Sequence, residues 1–292
     1  MMWTHIPILA AQITDMLVQD EGGVYLDATL GLGGHGKFIM GKLAAGGRLI
    51  GLDKDKAALD MAVKNIDDKR LAVFKASYLD APKILKNLCI PGVNGALFDL
   101  GLSSYQLDDA SRGFSFLQTG PLDMRFDNTD GISAADIVND WPVDKIEEIL
   151  FKYGEERAAH KIALAVYEAR KTAPLKTTLD LARVVEKVLP RSGKTHPATQ
   201  TFQALRIAVN DELSSVEKLP SMLPDIILPG GRAAVLTFHS TEDRIIKYAF
   251  KNLVDTGKWR LVNKKTIEPS YDEIRANPRA RSAKLRVIER VF

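Results

Sequence analysis

The chain of 292 residues carries a single cysteine, Cys89. One thiol excludes an intramolecular disulfide and a zinc site built on several thiolates. Its apolar neighbours Leu88 and Ile90 predict a packed thiol, not a nucleophile. Long hydrophobic runs are also missing: no stretch reaches the roughly 18 apolar residues of a transmembrane helix, so no membrane partner is expected. Met1 to Gln12 places no basic segment ahead of its apolar residues, which argues against a secretory signal and for a cytoplasmic protein. Three of the histidines, His5, His160 and His196, are too scattered to suggest a metal site with any carboxylate, so no catalytic metal is expected. Repeats and low-complexity tracts are absent as well, which excludes solenoid and linker architectures.

What is present is an ordinary globular balance, 46% hydrophobic and 26% charged, with a formal net charge of +3. The charge is unevenly spread: from Arg244 to Phe292 there are 13 Lys or Arg against 5 Asp or Glu. Such a basic end suits a polyanionic partner, although a solvated basic face would look the same.

The most informative stretch runs from Val24 to Gly36. An apolar run, Val24 to Leu26, ends in Asp27, and glycines follow at 31, 33, 34 and 36 before a helix expected from Lys37. Strand, glycine turn and helix start bring backbone N–H groups close to a ligand. Gly31, Gly33 and Gly36 fit the G-x-G-x-x-G spacing, which by itself is often only a turn.

The same grammar repeats around it. Pro7 to Val18 reads as a helix, Arg48 to Leu52 as a strand ending at Asp53, and Lys56 to Ile66 as a helix. Leu71 to Lys75 is a third strand, Ala81 to Leu88 a short helix, and Asn94 to Leu100 a fourth strand bearing Asp99. Strands alternating with helices predict a parallel sheet, whose ligands bind beyond the carboxyl ends of its strands. Three acids therefore point to one crevice. From Ser103 to Asp211 the alternation stops: Ile146 to Phe151, Ala158 to Arg170 and Leu179 to Leu189 look amphipathic, broken by Trp141-Pro142, Pro174 and Pro190-Arg-Ser-Gly193. Strand character resumes at Gly231 to Phe238, Ser240-Thr-Glu-Asp243 resembles a capping box opening a helix to Val254, and Trp259 to Lys264 and Leu285 to Phe292 close the sheet. The expectation is a methyltransferase-type domain over 1–103 and 212–292, Rossmann-like and mostly parallel with an antiparallel terminal strand, interrupted by a helical insert over 104–211 that recognises substrate.

Charge chooses between two ligands for the glycine turn. Asp27 would repel the pyrophosphate of a nicotinamide dinucleotide but attract the ammonium or sulfonium of S-adenosylmethionine. Asp53 is placed for both ribose hydroxyls in either case, Tyr78 for the adenine face, and Asp99 closes the site. The methyl donor is favoured.

Longer motifs agree. Asp27-Ala-Thr-Leu-Gly-Leu-Gly-Gly-His35, Phe98-Asp-Leu-Gly-Leu-Ser-Ser104, Gln106-Leu-Asp-Asp109, Arg112-Gly-Phe-Ser-Phe116, Gly120-Pro-Leu-Asp-Met-Arg125, Thr201-Phe-Gln-Ala-Leu-Arg-Ile207 and Asn277-Pro-Arg-Ala-Arg-Ser-Ala-Lys284 stand together. With them the chain resembles the bacterial RsmH (MraW) family, ribosomal small-subunit (16S) RNA cytosine-N4 methyltransferases, from His5 to nearly the last residue. The resemblance implies that Gly33, Gly34, His35, Asp53, Tyr78, Asp99 and Gln106 hold the donor, with His35 acting through its backbone. It implies a target cytidine in the decoding centre of 16S ribosomal RNA, met within the assembled small subunit; a homodimer is compatible. Tyr105 stands where the family usually has Pro and Gln200 where Arg is common; neither change removes a donor contact.

Cytosine N4 is a poor nucleophile, so the chemistry needs in-line alignment and an acceptor for the amino group as positive charge develops. Asp99, Ser103 and Ser104 are the candidates for that catalytic role; alternatively, Asp99 only binds donor and orders the loop. Tyr105 could stack on an extruded base, and Asp123 and Arg125 could line the substrate pocket or simply pair with each other. His239 and Ser240 read as helix-capping residues. Arg275, Arg279, Arg281, Lys284 and Arg286 form the expected RNA-facing cluster. The competing functions are methylation of another RNA or DNA amino group and a non-catalytic RNA-binding assembly factor.

Overall fold

The computed structural model describes residues 7–191 and 196–292, together with the backbone but not the side chain of Ser104. His5 and part of the break expected after Pro190 lie outside the described residues. The chain divides into two compact units, Met1–Gly101 with Leu213–Phe292, and Leu102–Glu212.

The first unit begins with α1 (Ala10–Leu17), β1 (Val24–Asp27), α2 (Gly34–Lys42), β2 (Arg48–Asp53), α3 (Lys56–Ile66), β3 (Leu71–Lys75), α4 (Ala81–Asn87) and β4 (Val93–Asp99). The second holds α5 (Ser104–Asp108), α6 (Ala134–Asp140), α7 (Val143–Gly154), α8 (Ala159–Thr172), α9 (Thr178–Val188) and α10 (Thr199–Asn210). The chain then returns through α11 (Glu212–Ile226), β5 (Ile227–Thr237), α12 (Ser240–Asp255), β6 (Trp259–Leu261), α13 (Tyr271–Ala276) and β7 (Lys284–Arg290).

The seven strands form one sheet in the order β3-β2-β1-β4-β5-β7-β6. Strands β1 to β5 pair in parallel, and β7 runs antiparallel to both β5 and β6. The expected α/β fold is therefore present, with its antiparallel strand last in the chain but one place in from the sheet edge. Strand order reverses between β1 and β4, where the crevice of a doubly wound sheet opens.

Both faces of the inner strands β1, β2 and β4 are largely buried, and these strands are correspondingly mostly apolar. Successive residues point to opposite faces. Leu26 and Phe98 pack with Leu219 and Leu223 of α11 and Ile246 and Phe250 of α12. Their neighbours Tyr25 and Leu97 pack with Ile13 and Leu17 of α1 and Ile39 of α2.

Several elements differ from expectation. Helix α2 starts at Gly34, three residues early, because Gly33 caps it in the left-handed conformation at φ 84°. Helix α11 runs through Pro220 and Pro224, residues that read as breakers in sequence. Strand β5 begins at Ile227, with a register shift against β4 between Val93 and Gly95 that absorbs Pro229 and Gly230. Between β6 and β7, where no element is expected, the chain forms a helix, α13, and a 3₁₀ turn over Pro278–Ser282. Cys89, expected to be packed, is exposed, since α4 ends at Asn87 and the chain turns through a left-handed Cys89 at φ 56°.

In the second unit, α7, α8, α9 and α10 pool one core that includes Ile146, Leu150, Ile162, Val166, Leu181, Val185, Phe202 and Leu205. Ser133 with Asp136 and Thr177 with Asp180 form capping boxes at α6 and α9. Among the described residues no helix is long and apolar enough to cross a membrane.

Candidate active site

Asp27, Asp53 and Asp99 are the last residues of β1, β2 and β4, and register sets Asp27 opposite both Gly51 and Leu97. Three adjacent parallel strands thus deliver three carboxylates to one sheet edge. The turn after β1 is tied to them. Gly31 donates its N–H to Asp53 Oδ2 at 2.8 Å, and Asp55 donates to Asp53 Oδ1 at 2.9 Å. Each carboxylate oxygen keeps a second lone pair, enough for a ribose hydroxyl. Thr29 accepts the Asp99 N–H on its Oγ1 at 2.7 Å and gives its own N–H to Asp27 Oδ1 at 3.3 Å.

His35 enters this cluster through its side chain. It sits in the first turn of α2, 6% exposed, with Nε2 3.4 Å from Asp99 Oδ2. Among the described residues, both of its ring nitrogens, Asp27 Oδ2 and Asp99 Oδ1 are buried without a hydrogen-bond partner. Such orphaned polar atoms are costly unless a ligand completes them. A cation with hydrogen-bond donors fits the acidic set.

Burial sets the electrostatics. Desolvation pushes Asp27 from an ordinary 3.8 up to about 7, against the pull of His35 and of the Thr29 N–H. Desolvation likewise raises Asp53 to about 6, against the Asp55 and Gly31 N–H groups. Burial alone would depress His35, but contact with Asp99 and the charges of Asp99, Asp27 and Glu273 outweigh it, and the imidazole is shifted up. Tyr78, just past β3, meets Phe98 edge-on with ring centroids 5.9 Å apart.

The other expected site residues belong to the second unit or to the basic tail, and several have internal employment. Ser103 caps α5 by accepting the Gln106 N–H, while Gln106 Oε1 accepts the Ser103 N–H at 3.2 Å. The Ser103 hydroxyl keeps its O–H to donate and Gln106 keeps its amide NH2, so the cap orients both side chains. Tyr105 lies on α5, partly exposed. Arg125 clasps Asp123 through Nε at 2.9 Å and Nη2 at 2.7 Å, so the two form an ion pair. Although half-buried, Asp123 is held below the usual carboxylate range by that guanidinium.

In the tail, Arg286 grips Asp243 at 2.7 and 3.1 Å and Lys284 lies 3.6 Å from the same carboxylate. Arg286 is tied to the fold, Lys284 stays partly exposed beside the same carboxylate, and Arg275, Arg279 and Arg281 are exposed. His239, not Ser240, caps α12, accepting the Glu242 N–H while Glu242 accepts from Phe238 and His239. Thr29 and Glu273 carried no individual signal in the sequence. Thr29 was visible only within its motif, and Glu273, which accepts the Leu9 N–H at 2.7 Å, is more than 200 residues from the glycine turn.

A sheet of this order, with carboxylates closing β1, β2 and β4 beside a left-handed glycine turn, defines a Rossmann-like methyltransferase of the α/β class. Residues 2–291 match the MraW methylase family. The chain belongs to that family. It is 54% identical to the ribosomal RNA small subunit methyltransferase H of Elusimicrobium minutum, covering 99% of both chains. It is 43% identical to the protein of that name from Paenibacillus sp., over 99% of this chain and 100% of the other. A solved structure of a putative rRNA-methylase from Clostridium thermocellum aligns over 98% of this chain and 99% of that one, with a TM-score of 0.43 and 15% identity.

Proposed function

We propose that the protein transfers a methyl group from S-adenosylmethionine to a cytidine N4 of 16S ribosomal RNA, in the decoding centre of the small subunit. The observation that carries this is the set of buried acidic atoms at the ends of β1 and β4, unpartnered among the described residues, beside a helix N-terminus. When bound, S-adenosylmethionine supplies an electrophilic methyl group on a sulfonium.

Asp53, already oriented by two backbone N–H groups, accepts the ribose hydroxyls. Tyr78, held edge-on by Phe98, packs on the adenine. The backbone of Gly33, Gly34 and His35 at the start of α2 takes the carboxylate end, as helix N-termini do. Asp27 and Asp99 supply the negative field for the ammonium and sulfonium. Asp99, fixed by Thr29, is also the acceptor for the cytidine amino group as its nitrogen becomes positive. No covalent intermediate is required, which agrees with the lone Cys89 lying exposed at the end of α4, away from these strand ends.

The helical unit supplies RNA recognition in this reading, together with Arg275, Arg279 and Arg281. The names of the relatives support ribosomal RNA as substrate. Work on the assembled subunit in the cytoplasm follows from the same proposal. Calorimetric donor binding, followed by nucleoside mass spectrometry of 16S RNA from a deletion strain, tests it. Loss of N4-methylcytidine is expected. Intact N4-methylcytidine would redirect the search to another RNA or to DNA, and donor binding without any lost mark would favour an assembly factor.

A further inference from the structure

Three carboxyl groups act on one imidazole in the first unit. Asp27 closes β1, Asp99 closes β4, and Glu273 lies on α13. His35, from α2, lies 3.4 Å from Asp99, and its charge is felt by Asp27 while that of Glu273 is felt by it. Buried carboxylates at this density need a cation, and His35 is a basic side chain set among them. From this geometry we infer that His35 serves as the resident cation of the donor-free crevice and surrenders its proton when the donor's positive charge arrives, so that donor binding releases a proton. The inference rests on the proposed reading of the crevice as an S-adenosylmethionine site.

The physics is one of competition for the same field. In the donor-free state Asp99 and Asp27 support the charged imidazole, and its shift upward agrees with that. An external cation against the same carboxylates removes that support, and a buried imidazole left without it favours its neutral form. The two ligands of the cycle differ in this respect. S-adenosylhomocysteine keeps the ammonium but lacks the sulfonium, so it leaves His35 more of its proton. Methyl transfer forms an N–C bond, breaks the S–C bond and frees one proton from the amino group. The cluster loses one positive neighbour in that step, so His35 regains one proton and the count over the cycle balances. His35 is thus a positioning residue that also discriminates between donor and product.

Titration calorimetry of the full chain near pH 7, in two buffers of different ionisation enthalpy, counts the protons. We expect a substantial fraction of one proton released per S-adenosylmethionine, much less with S-adenosylhomocysteine, and a clearly smaller release in His35→Gln, where Asp27 is the remaining source. The ratio of the two dissociation constants should then move toward the donor with rising pH, by up to about tenfold per pH unit at full linkage. Nitrogen-15 NMR of the imidazoles in the unmodified protein reads the same event without a variant: a charged His35 ring without ligand and a neutral one with donor. Equal proton counts for both ligands, a release undiminished in His35→Gln, or a ring already neutral without ligand would overturn the inference. Failure of either ligand to bind at all would instead overturn the reading of the crevice as a donor site.

Discussion

The hydroxyl of Thr29 accepts the backbone N–H of Asp99 at 2.7 Å, while the Thr29 N–H turns back to Asp27 Oδ1 at 3.3 Å. One residue, through its hydroxyl and its backbone N–H, therefore links the acids that end β1 and β4. Thr29→Val keeps the shape and deletes the acceptor, leaving the Asp99 N–H without it. A loss of about 1–2 kcal/mol in urea unfolding is expected, with donor affinity down by roughly tenfold, a further cost of similar size. Unchanged donor affinity in a folded Thr29→Val protein would mean that Asp99 is placed by β4 alone.

The buried acids predict an unusual pH dependence without ligand. Asp27 titrates near 7 and Asp53 near 6 in the fold, against an ordinary 3.8. Both folded values are raised, and so is that of His35. A raised group contributes stability below its unfolded value and loses that contribution as pH climbs through the folded one. Ligand-free stability should therefore fall from pH 4 to pH 8, most steeply between about 4.5 and 6, where both acids are protonated in the fold and ionised in the unfolded chain. The upper bound from Asp27 alone is about 4 kcal/mol, taking about three pKa units at 1.36 kcal/mol each. Asp27→Asn should flatten the curve and be more stable than the unmodified protein at pH 8, while losing donor affinity. A urea midpoint that rises between pH 6 and 8 would contradict this.

Asp99 is given two jobs, donor field and amino-group acceptor, and a conservative change separates them. Asp99→Asn keeps an oxygen acceptor but removes the charge, whereas Asp99→Ala removes both. If the acceptor role holds, Asp99→Ala should lose at least 100-fold in single-turnover rate at saturating donor, in line with the roughly 10²–10³ cost of one preorganised charge-stabilising group. If only the donor constant moves and the saturated rate stays near normal, Asp99 binds donor and does nothing more.

How far the sequence could be read depended on where information is local. Apolar runs ending at Asp27, Asp53 and Asp99 are short-range patterns, and the parallel sheet and its acidic edge followed from them. Helix α11 escaped because Pro220 and Pro224 are local breakers, yet Leu219, Leu223 and Ile226 bury enough apolar surface on the sheet to hold the helix through them. Of the two capping residues read at the start of α12, His239 and Ser240, the structure uses His239, although serine has the stronger intrinsic preference. The side-chain role of His35 was invisible for a different reason. Direction into a cluster depends on α2 starting at Gly34 and on where β4 ends, neither of which is written near residue 35. Asp243, the partner that ties Arg286 into the fold, is some 40 residues away from it.

That pairing gives a contrast within the basic tail. Exposed Arg275, Arg279 and Arg281 changed together to Gln should weaken RNA binding and reduce the slope of log affinity against log salt by about 2, at roughly 0.7–0.9 per phosphate contact. Arg286→Gln should leave the salt slope alone and destabilise the fold by about 1–3 kcal/mol, because it takes two charge-assisted bonds from the buried Asp243. Filter binding across a salt series and urea unfolding read the two effects separately. The assignment fails if the triple variant keeps its slope or if Arg286→Gln changes it.

Gly33 tests the turn itself. Its φ of 84° caps α2, and a Cβ there would stand 2.9 Å from Ile66 Cδ1 and 3.3 Å from Ala62 Cβ. Alanine at this position carries two separable costs, about 1–2 kcal/mol for a left-handed L-residue and a steric share against α3. Ile66→Val removes the offending methyl and by itself should cost about 0.5–1.5 kcal/mol. The double variant Gly33→Ala with Ile66→Val should therefore be less destabilised than the sum of the singles, by roughly 0.5–1 kcal/mol, a coupling of the size seen for residues in contact. The backbone share cannot be rescued this way. The N–H groups of Gly34 and His35 would remain tilted, and donor affinity should stay low in both Gly33→Ala proteins even where stability is partly restored. Strict additivity would mean that Ile66 yields freely to the new methyl; donor affinity that returns with stability would mean that the turn is held by α3 packing, with the left-handed residue adding nothing to the site.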